Sequence, residues 1–221
     1  MKKMIVAVVL IVVLLVAAPL VNGVIMKRTV QNAVEDFNAF YAVHPAGYSI
    51  EIVNYYRGYL STDFSCQIDM GILKHVYGVD KVLLKSNARH AYTRVVATTN
   101  IEENTVVNSF IENKLKGKNP LHVETVYSLF GGIESTVGLD AFSFEVDGES
   151  LKVNSGELVV KTDRTMKNFL ASANWQGMTV AEKIELGEIT INSDVEMLSQ
   201  FIGEGSAVVE VKSLKAMDQD G

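Results

Sequence analysis

The spacing of apolar and polar side chains changes twice along this chain, and the changes divide it. From Met4 to Val21 runs a stretch of 18 residues without one charged side chain. As a helix it would rise about 27 Å, against a hydrocarbon core of roughly 30 Å. From Val24 to Tyr41 the pattern turns helical. Val30, Val34, Phe37 and Tyr41 recur on one face with Lys27, Arg28, Glu35 and Asp36 interleaved, which predicts an amphipathic continuation of the first helix. His44-Pro45-Ala46-Gly47 stops it. Beyond that point the period drops to two. Leu60, Thr62, Phe64, Cys66, Ile68 and Met70 face one way and Ser61, Asp63, Ser65, Gln67 and Asp69 the other, as in a strand with one face buried.

Ser49 to Tyr56 is rich in Ile, Val and Tyr and predicts a partner strand, with Arg57-Gly58 at the turn or bulge of an antiparallel hairpin. Residues 74–88 show no clear period, and Arg89 to Ile101 reads as one further strand. Val106, Val107, Phe110, Ile111 and Leu115 share a helical face closed by Gly117 and Pro120, the only clear helix after the first. From Leu121 onward short strands alternate with turn pairs: Gly131-Gly132, Asp147-Gly148 between Phe142-Ser143-Phe144 and Leu151-Lys152-Val153, and Asn154-Ser155-Gly156 before Leu158-Val159-Val160. Met166 to Asn174, Lys183 to Ile191 and Ala207 to Leu214 are further strand candidates. Trp175-Gln176-Gly177 and Gly203-Glu204-Gly205 read as breaks, and Asp218-Gln219-Asp220-Gly221 as a final turn. The expected fold is mostly β, of the α+β class. A transmembrane helix (residues 1–23) continues into an amphipathic helix and its stop (24–47), and a long antiparallel meandering sheet with one further short helix follows (48–221).

Composition fits a folded body, since 48% apolar residues and only 3 prolines in 221 residues can build a core. The net charge is −6, and −8 once residues 1–23, with Lys2 and Lys3, are set aside. That balance argues against nucleic acid and against a polybasic contact with anionic headgroups. Cys66 stands alone and cannot form an intrachain disulfide. The basic start and apolar run also resemble a secretory signal, but Ala17-Ala18 precedes Pro19, a poor cleavage site, leaving Val21-Asn22-Gly23. The reading is a retained anchor, with release into the periplasm after cleavage as the alternative. The short basic head stays on the cytoplasmic side and sends the remainder across the membrane.

The string Tyr55-Tyr56-Arg57-Gly58-Tyr59-Leu60-Ser61-Thr62 resembles the aromatic-Arg-Gly-aromatic-x-Ser segment near the start of the YdgA-like bacterial proteins, a family defined by a domain of unknown function. The order of anchor, helix, motif and β-rich sequence agrees. The resemblance implies an inner-membrane-anchored protein facing the periplasm of a Gram-negative cell and corresponding to the N-terminal half of a typical member. It implies no reaction.

Candidate chemistry is sparse. Arg57 among Tyr55, Tyr56 and Tyr59 reads as a ligand-binding cation on an aromatic platform or as part of a Gly58 turn whose tyrosines pack at a sheet edge. Tyr41 and Tyr48 suit an interfacial belt or sheet packing. His44, His75, His90 and His122 have no partner at metal-ligand spacing, and His122-Val123-Glu124 lacks the cysteines of a zinc deaminase. Glu102 and Glu103, adjacent on a strand end, point to opposite sides. Cys66 shares a face with Phe64 and Ile68 and reads as a small buried hydrophobe. No pattern calls for a cofactor. Three function classes follow: a structural or interaction platform anchored through residues 4–21 and meeting envelope proteins; a carrier of lipid or another apolar ligand on an uncovered sheet face; and an envelope hydrolase assembled only in the fold. The first, a non-enzymatic platform, is the reading carried forward.

Overall fold

Helix α1 (Lys2–Ala42) runs unbroken through the change of pattern near residue 23, with Pro19 inside it. A computed structural model of the chain describes residues 2–42, 46–102, 105–146, 148–181, 183–198 and 203–216, with the side chains of α1 described from Val16 onward. Among the described residues no helix is long and apolar enough to cross a membrane. The run Met4–Val21, read above as a transmembrane helix, falls mostly on residues 2–15, whose side chains lie outside that description. The helix stop at His44-Pro45 and the final turn at 218–221 lie outside it as well.

The chain forms two units. Unit 1 comprises residues 1–102 and 125–132. In it, α1 is followed by β1 (Tyr48–Arg57), β2 (Ser61–Met70), a 3-10 turn at Gly71–Leu73, the short α2 (Lys74–Tyr77), β3 (Lys81–His90) and β4 (Arg94–Glu102). The strands pair in sequence order, each antiparallel to the last. In β1 a bulge between Ile52 and Asn54 adjusts the register, and the predicted hairpin closes through Gly58 N–H donating to Ser61 O at 2.8 Å.

The core of unit 1 lies under α1. Asn22, Met26, Val30 and Val34 descend one face at every fourth position, and Asn22, Met26 and Val30 are buried. Met26 and Val30 join Phe64, Cys66, Ala88, Val95 and Ala97 in one cluster, with Ile50, Ile52, Tyr55 and Tyr127 at its margin. Ala88 and Ala97 are direct cross-strand partners, and their small side chains let the helix come close to the sheet. Along β2, Thr62, Phe64 and Cys66 are buried, as the period of two predicts; Ser65 is buried too, while Leu60 sits exposed in the turn. At the sheet edge Asn38 binds both backbone groups of Ile50, accepting from its N–H at 2.8 Å and donating to its carbonyl at 2.7 Å. The helix thereby covers groups on strand β1 that would otherwise invite another strand.

Two sequence expectations change here. The strand expected over Arg89–Ile101 is the end of β3, a turn at Ala91–Thr93 and then β4. That turn contains no Gly, Pro or Asn; it is closed by Ala91 N–H donating to Arg94 O at 2.8 Å and held by α1 from outside, so the β-favouring sequence runs straight through it. α2, inside the stretch without a clear period, is an additional short helix.

Unit 2 comprises residues 103–124 and 133–221. It holds α3 (Thr105–Leu115), the helix expected there, and the first part of β5 (Leu121–Ser128). The strands after it are β6 (Gly132–Leu139), β7 (Phe142–Val146), β8 (Glu149–Val153), β9 (Gly156–Thr162), β10 (Asn168–Trp175), β11 (Met178–Val180), β12 (Ile184–Leu186), β13 (Ile189–Met197), β14 (Gly203–Val211) and β15 (Leu214–Ala216). β6, β9, β10, β13 and β14 pair antiparallel in that order, and the intervening strands form a second sheet in the order β15-β12-β11-β8-β7. The meander is therefore split between two sheets in this unit. The β9–β10 turn is tied by the Asp163 carboxylate, which accepts from Thr165 N–H (2.8 Å), Thr165 Oγ1 (2.7 Å) and Asn168 Nδ2 (2.6 Å).

The strand expected over Lys183–Ile191 breaks at Gly187, whose N–H donates to Ser213 O at 2.8 Å, giving β12 and β13. Ala207–Leu214 likewise divides into β14 and β15. Gly203-Glu204-Gly205, expected as a break, lies within β14. A Cβ on Gly205 would collide with the Asp194 carbonyl of β13, so glycine serves close strand approach there and not a turn.

Candidate functional site

The motif residues from Tyr55 to Ser61 occupy the β1–β2 hairpin, where they meet α1. Tyr55 packs at the core margin, stacked on Phe64 with ring centroids 5.8 Å apart. The cation over its ring is Lys27 of α1, 5.3 Å from the centroid, and not Arg57. Arg57 ends β1, exposed, and Tyr56 beside it is exposed as well. Gly58 makes the turn. Tyr59 reaches back along the helix and donates its hydroxyl to Val16 O at 2.5 Å. Leu60 O accepts from His90 N–H at 2.7 Å, and Ser61 opens β2. Through Tyr55 and Tyr59 the hairpin holds the helix as a clamp.

His90 is the centre of that clamp. Its ring lies under Gly23, where an added Cβ would come within 2.5 Å of Cε1. Nδ1 lies 3.3 Å from Tyr59 O and Nε2 lies 2.9 Å from Thr62 Oγ1. A carbonyl can only accept, so Nδ1 carries the proton and Nε2 accepts from the threonine hydroxyl. Burial pushes the His90 pKa below its ordinary value, the bond to the Tyr59 carbonyl opposes that shift and the nearby Arg57 charge adds to it. Asn22, buried on the next turn of the helix, donates to Ala91 O at 2.7 Å and Tyr92 O at 3.1 Å. In the sequence Asn22 and Gly23 read as a marginal cleavage context. No one-dimensional signal marked them as the contact with the β3–β4 turn, nor His90 as their partner.

The remaining buried titrating groups of unit 1 are held neutral. Burial pushes the Cys66 thiol up, as expected of a packed hydrophobe and not of a nucleophile. Burial, with Cys66 and Tyr55 nearby, raises Tyr127 to about 12. Burial raises the Tyr55 hydroxyl against the opposing effect of the nearby Thr62 hydroxyl, and among the described residues no bond of ordinary geometry reaches it. Tyr41 and Tyr48 meet edge to face at 5.0 Å, in packing at the far end of α1. Glu102 pairs with Lys85 at 3.0 Å, and Glu103 lies outside the described residues, as does His44. Among the described residues no three His, Cys, Asp or Glu side chains converge to hold a metal ion.

Unit 2 offers surfaces. The register puts Phe169, Ala171, Ala173 and Trp175 of β10 on one face with Val160 and Leu158 of β9, Val195 and Ile191 of β13, and Val209 and Val211 of β14. None of these side chains is buried, and Val209 is 60% exposed. α1 packs on β1, β3 and β4, and α3 packs on β7, with Phe110 edge to face with Phe144 at 5.0 Å. The opposite face is mixed. It holds an open cavity of about 490 Å³ lined by Lys161, Leu170, Ser172, Asn192, Asp194 and Val208, in which Lys161 is paired with Glu134 at 3.2 Å. At the rim of the sheet Glu188 accepts from Lys212 and Asn174, which hold its carboxyl below the usual range.

The comparisons with known proteins agree with the resemblance carried by the motif. No curated protein and no solved structure matches the chain. A family model matches residues 1–221, so the chain belongs to the bacterial proteins of unknown function grouped as DUF945.

Proposed function

We propose that the protein is a membrane-anchored β-sheet platform of the bacterial envelope whose working surface is the apolar face of the unit 2 sheet. The observation that carries this reading is the mainly apolar face across β9, β10, β13 and β14, on which Leu158, Ile191, Val209 and Val211 are exposed and the other apolar side chains are only half-buried. Exposed apolar surface of this extent marks a place where something docks. Attachment is supplied by residues 4–21, with the short basic head cytoplasmic and both units in the periplasm. An envelope protein is the first occupant, because the face ends in β14, every residue of which is exposed and open to a partner chain. A second reading, an apolar ligand such as a lipid chain on the same face, is favoured by the lack of charge in its centre.

Photocrosslinking residues placed at Ile191 and Val209 of the full chain in cells separate the two. A protein adduct of discrete mass supports the platform, and a lipid adduct supports the carrier. If both positions remain unreacted while the same probe at the cavity residue Asn192 captures a partner, the working surface has been placed on the wrong face.

A further inference from the structure

Three hairpin turns of unit 1 lie at one end, and all are apolar at the tip. The β1–β2 turn carries Tyr59 and Leu60, and the β3–β4 turn carries Tyr92. The turn after β5 carries Phe130 and is fastened to the β3–β4 turn by Leu129 N–H donating to Thr93 O at 2.8 Å. Tyr59 is 43% exposed, Leu60 58%, Tyr92 59% and Phe130 81%. Large aromatic or apolar side chains at the tips of all three turns are not the usual composition of turns, which favour Gly, Asn, Asp and Ser. The same end of the unit is where α1 runs back into the uncharged stretch Met4–Val21. Tyr59 binds the helix at Val16 O, inside that stretch, and Asn22, which binds the β3–β4 turn, is the first polar residue after it. Val16, Leu20 and Val21 are exposed beside the turns.

Geometry then fixes the level of the turns. The stretch rises about 27 Å and needs all of its length to cross roughly 30 Å of hydrocarbon. Its last six residues, about 9 Å of helix, are alongside the turns. Withdrawing the turns from the bilayer would leave too little helix to span it. Charge agrees: Arg57, Arg89 and Arg94, all exposed, flank the first two turns. Asp63, which faces Tyr56 across the first hairpin, is bound to Asn87 (2.6 Å). A chain of net charge −6 thus presents a local basic collar behind an aromatic tip.

Resting on the anchor reading above, we infer that this end of unit 1 is seated in the membrane. Tyr59, Leu60, Tyr92 and Phe130 enter the interfacial layer of the bilayer around the emerging helix, and Arg57, Arg89 and Arg94 meet lipid phosphates. Aromatic rings with an apolar body and a wet edge favour this layer, and arginine matches phosphate through its fork of donors.

The test uses the full chain reconstituted in vesicles of phosphatidylcholine and phosphatidylglycerol, with Trp175→Phe removing the native indole and Phe130→Trp reporting the tip; Tyr92→Trp is the second reporter should the first not fold. Vesicles carrying lipids brominated near the carbonyl end of the chains should quench about half of the reporter fluorescence, and aqueous acrylamide should reach it poorly. A chain that stays in the membrane through an alkaline wash but shows an acrylamide-accessible, unquenched reporter overturns the seating while leaving the anchor in place. A chain released by the wash overturns both. Seating also requires that Arg57→Glu with Arg94→Glu make the reporter shallower in vesicles rich in phosphatidylglycerol; an unchanged depth removes the headgroup contacts from the proposal.

Discussion

In unit 1 the apolar sheet face lies under α1, and Met26, Ala88, Val95 and Ala97 are at most 1% exposed. In unit 2 the corresponding face carries no buried side chain on β9, β10, β13 or β14, and Leu115 is the unit's buried hydrophobic core residue among those described. In both units these strands run antiparallel to their neighbours and are seven to ten residues long. Alternating sequence makes a sheet, and the cover decides what the sheet is for. Where a helix supplies the cover, apolar alternation becomes buried core; where none is found among the described residues, the apolar side chains stay half-buried or exposed. In unit 1 the cover is also continuous with the stretch read as the anchor, so attachment and folding depend on one element.

The largest effect should come from the cover itself. Met26→Ala removes a fully buried side chain at the helix–sheet contact and should cost unit 1 about 2–5 kcal/mol. Ile191→Ala on the open face of unit 2 should cost about 1 kcal/mol or less. Urea unfolding of the full chain in detergent, followed by hydrogen exchange resolved by segment, measures both. Equal losses would mean that the two faces are equally packed, and the contrast between the units would fail.

Next in size is the clamp at the N-terminal end of that cover. Asn22→Ala leaves the carbonyls of Ala91 and Tyr92 without their donor in a partly buried site, an expected loss of about 1–3 kcal/mol. On the exposed face of unit 2, Asn192→Ala should change stability by no more than about 0.5 kcal/mol. Faster exchange at Ala91–Thr93 in the Asn22 variant is the specific signature. If exchange quickens evenly along the chain instead, the side chain does not hold that turn.

How much of this was legible in the sequence follows from how local each cause is. The period of two at residues 60–70 and the apolar spacing at 30, 34, 37 and 41 both survive in the structure, because each reports one element facing one partner. The break at Ala91–Thr93 was not legible, since its carbonyls are held by Asn22, about seventy residues away along the chain. Gly203 and Gly205 misled for the opposite reason: glycine signals a turn by default, whereas here it permits close approach to β13. The motif around Arg57 was visible, but its role was not. Whether its tyrosines bind a ligand, pack or clamp depends on where α1 returns, and the rim of Tyr59, Leu60, Tyr92 and Phe130 exists only once three distant turns are brought to one end. The open face of unit 2 was half legible: its strands could be read, while the absence of a covering helix among the described elements needed the fold.

The smallest effect separates the units by pH. His90 has its pKa lowered by burial from an ordinary value of 6.5, so the folded state binds its proton less readily than the unfolded chain does. Between the lowered value and 6.5 the unfolded state holds more protons, and stability rises with pH across that window. The contribution is therefore complete above about pH 6.5 and is lost as the pH falls toward the folded value. In unit 2 the shifted groups are carboxylates. Asp163, bound mainly by Thr165 and Lys167, and Glu188, bound by Lys212 and Asn174, are depressed below 3.8 and 4.5 respectively. What they contribute is present above those values and lost only in stronger acid. Acidification from about pH 7.5 to 5.5 should thus loosen the His90 clamp first, seen as a lower protection factor at the His90 and Ala91 amides, while the β9–β10 turn at Asp163 stays protected. His90→Gln, which cannot charge, should abolish the unit 1 step without moving the acid one. A wild-type chain whose clamp keeps the same protection factor across that range would show that the ring is not held neutral, and the assignment of Nε2 as acceptor from the Thr62 hydroxyl would fall with it.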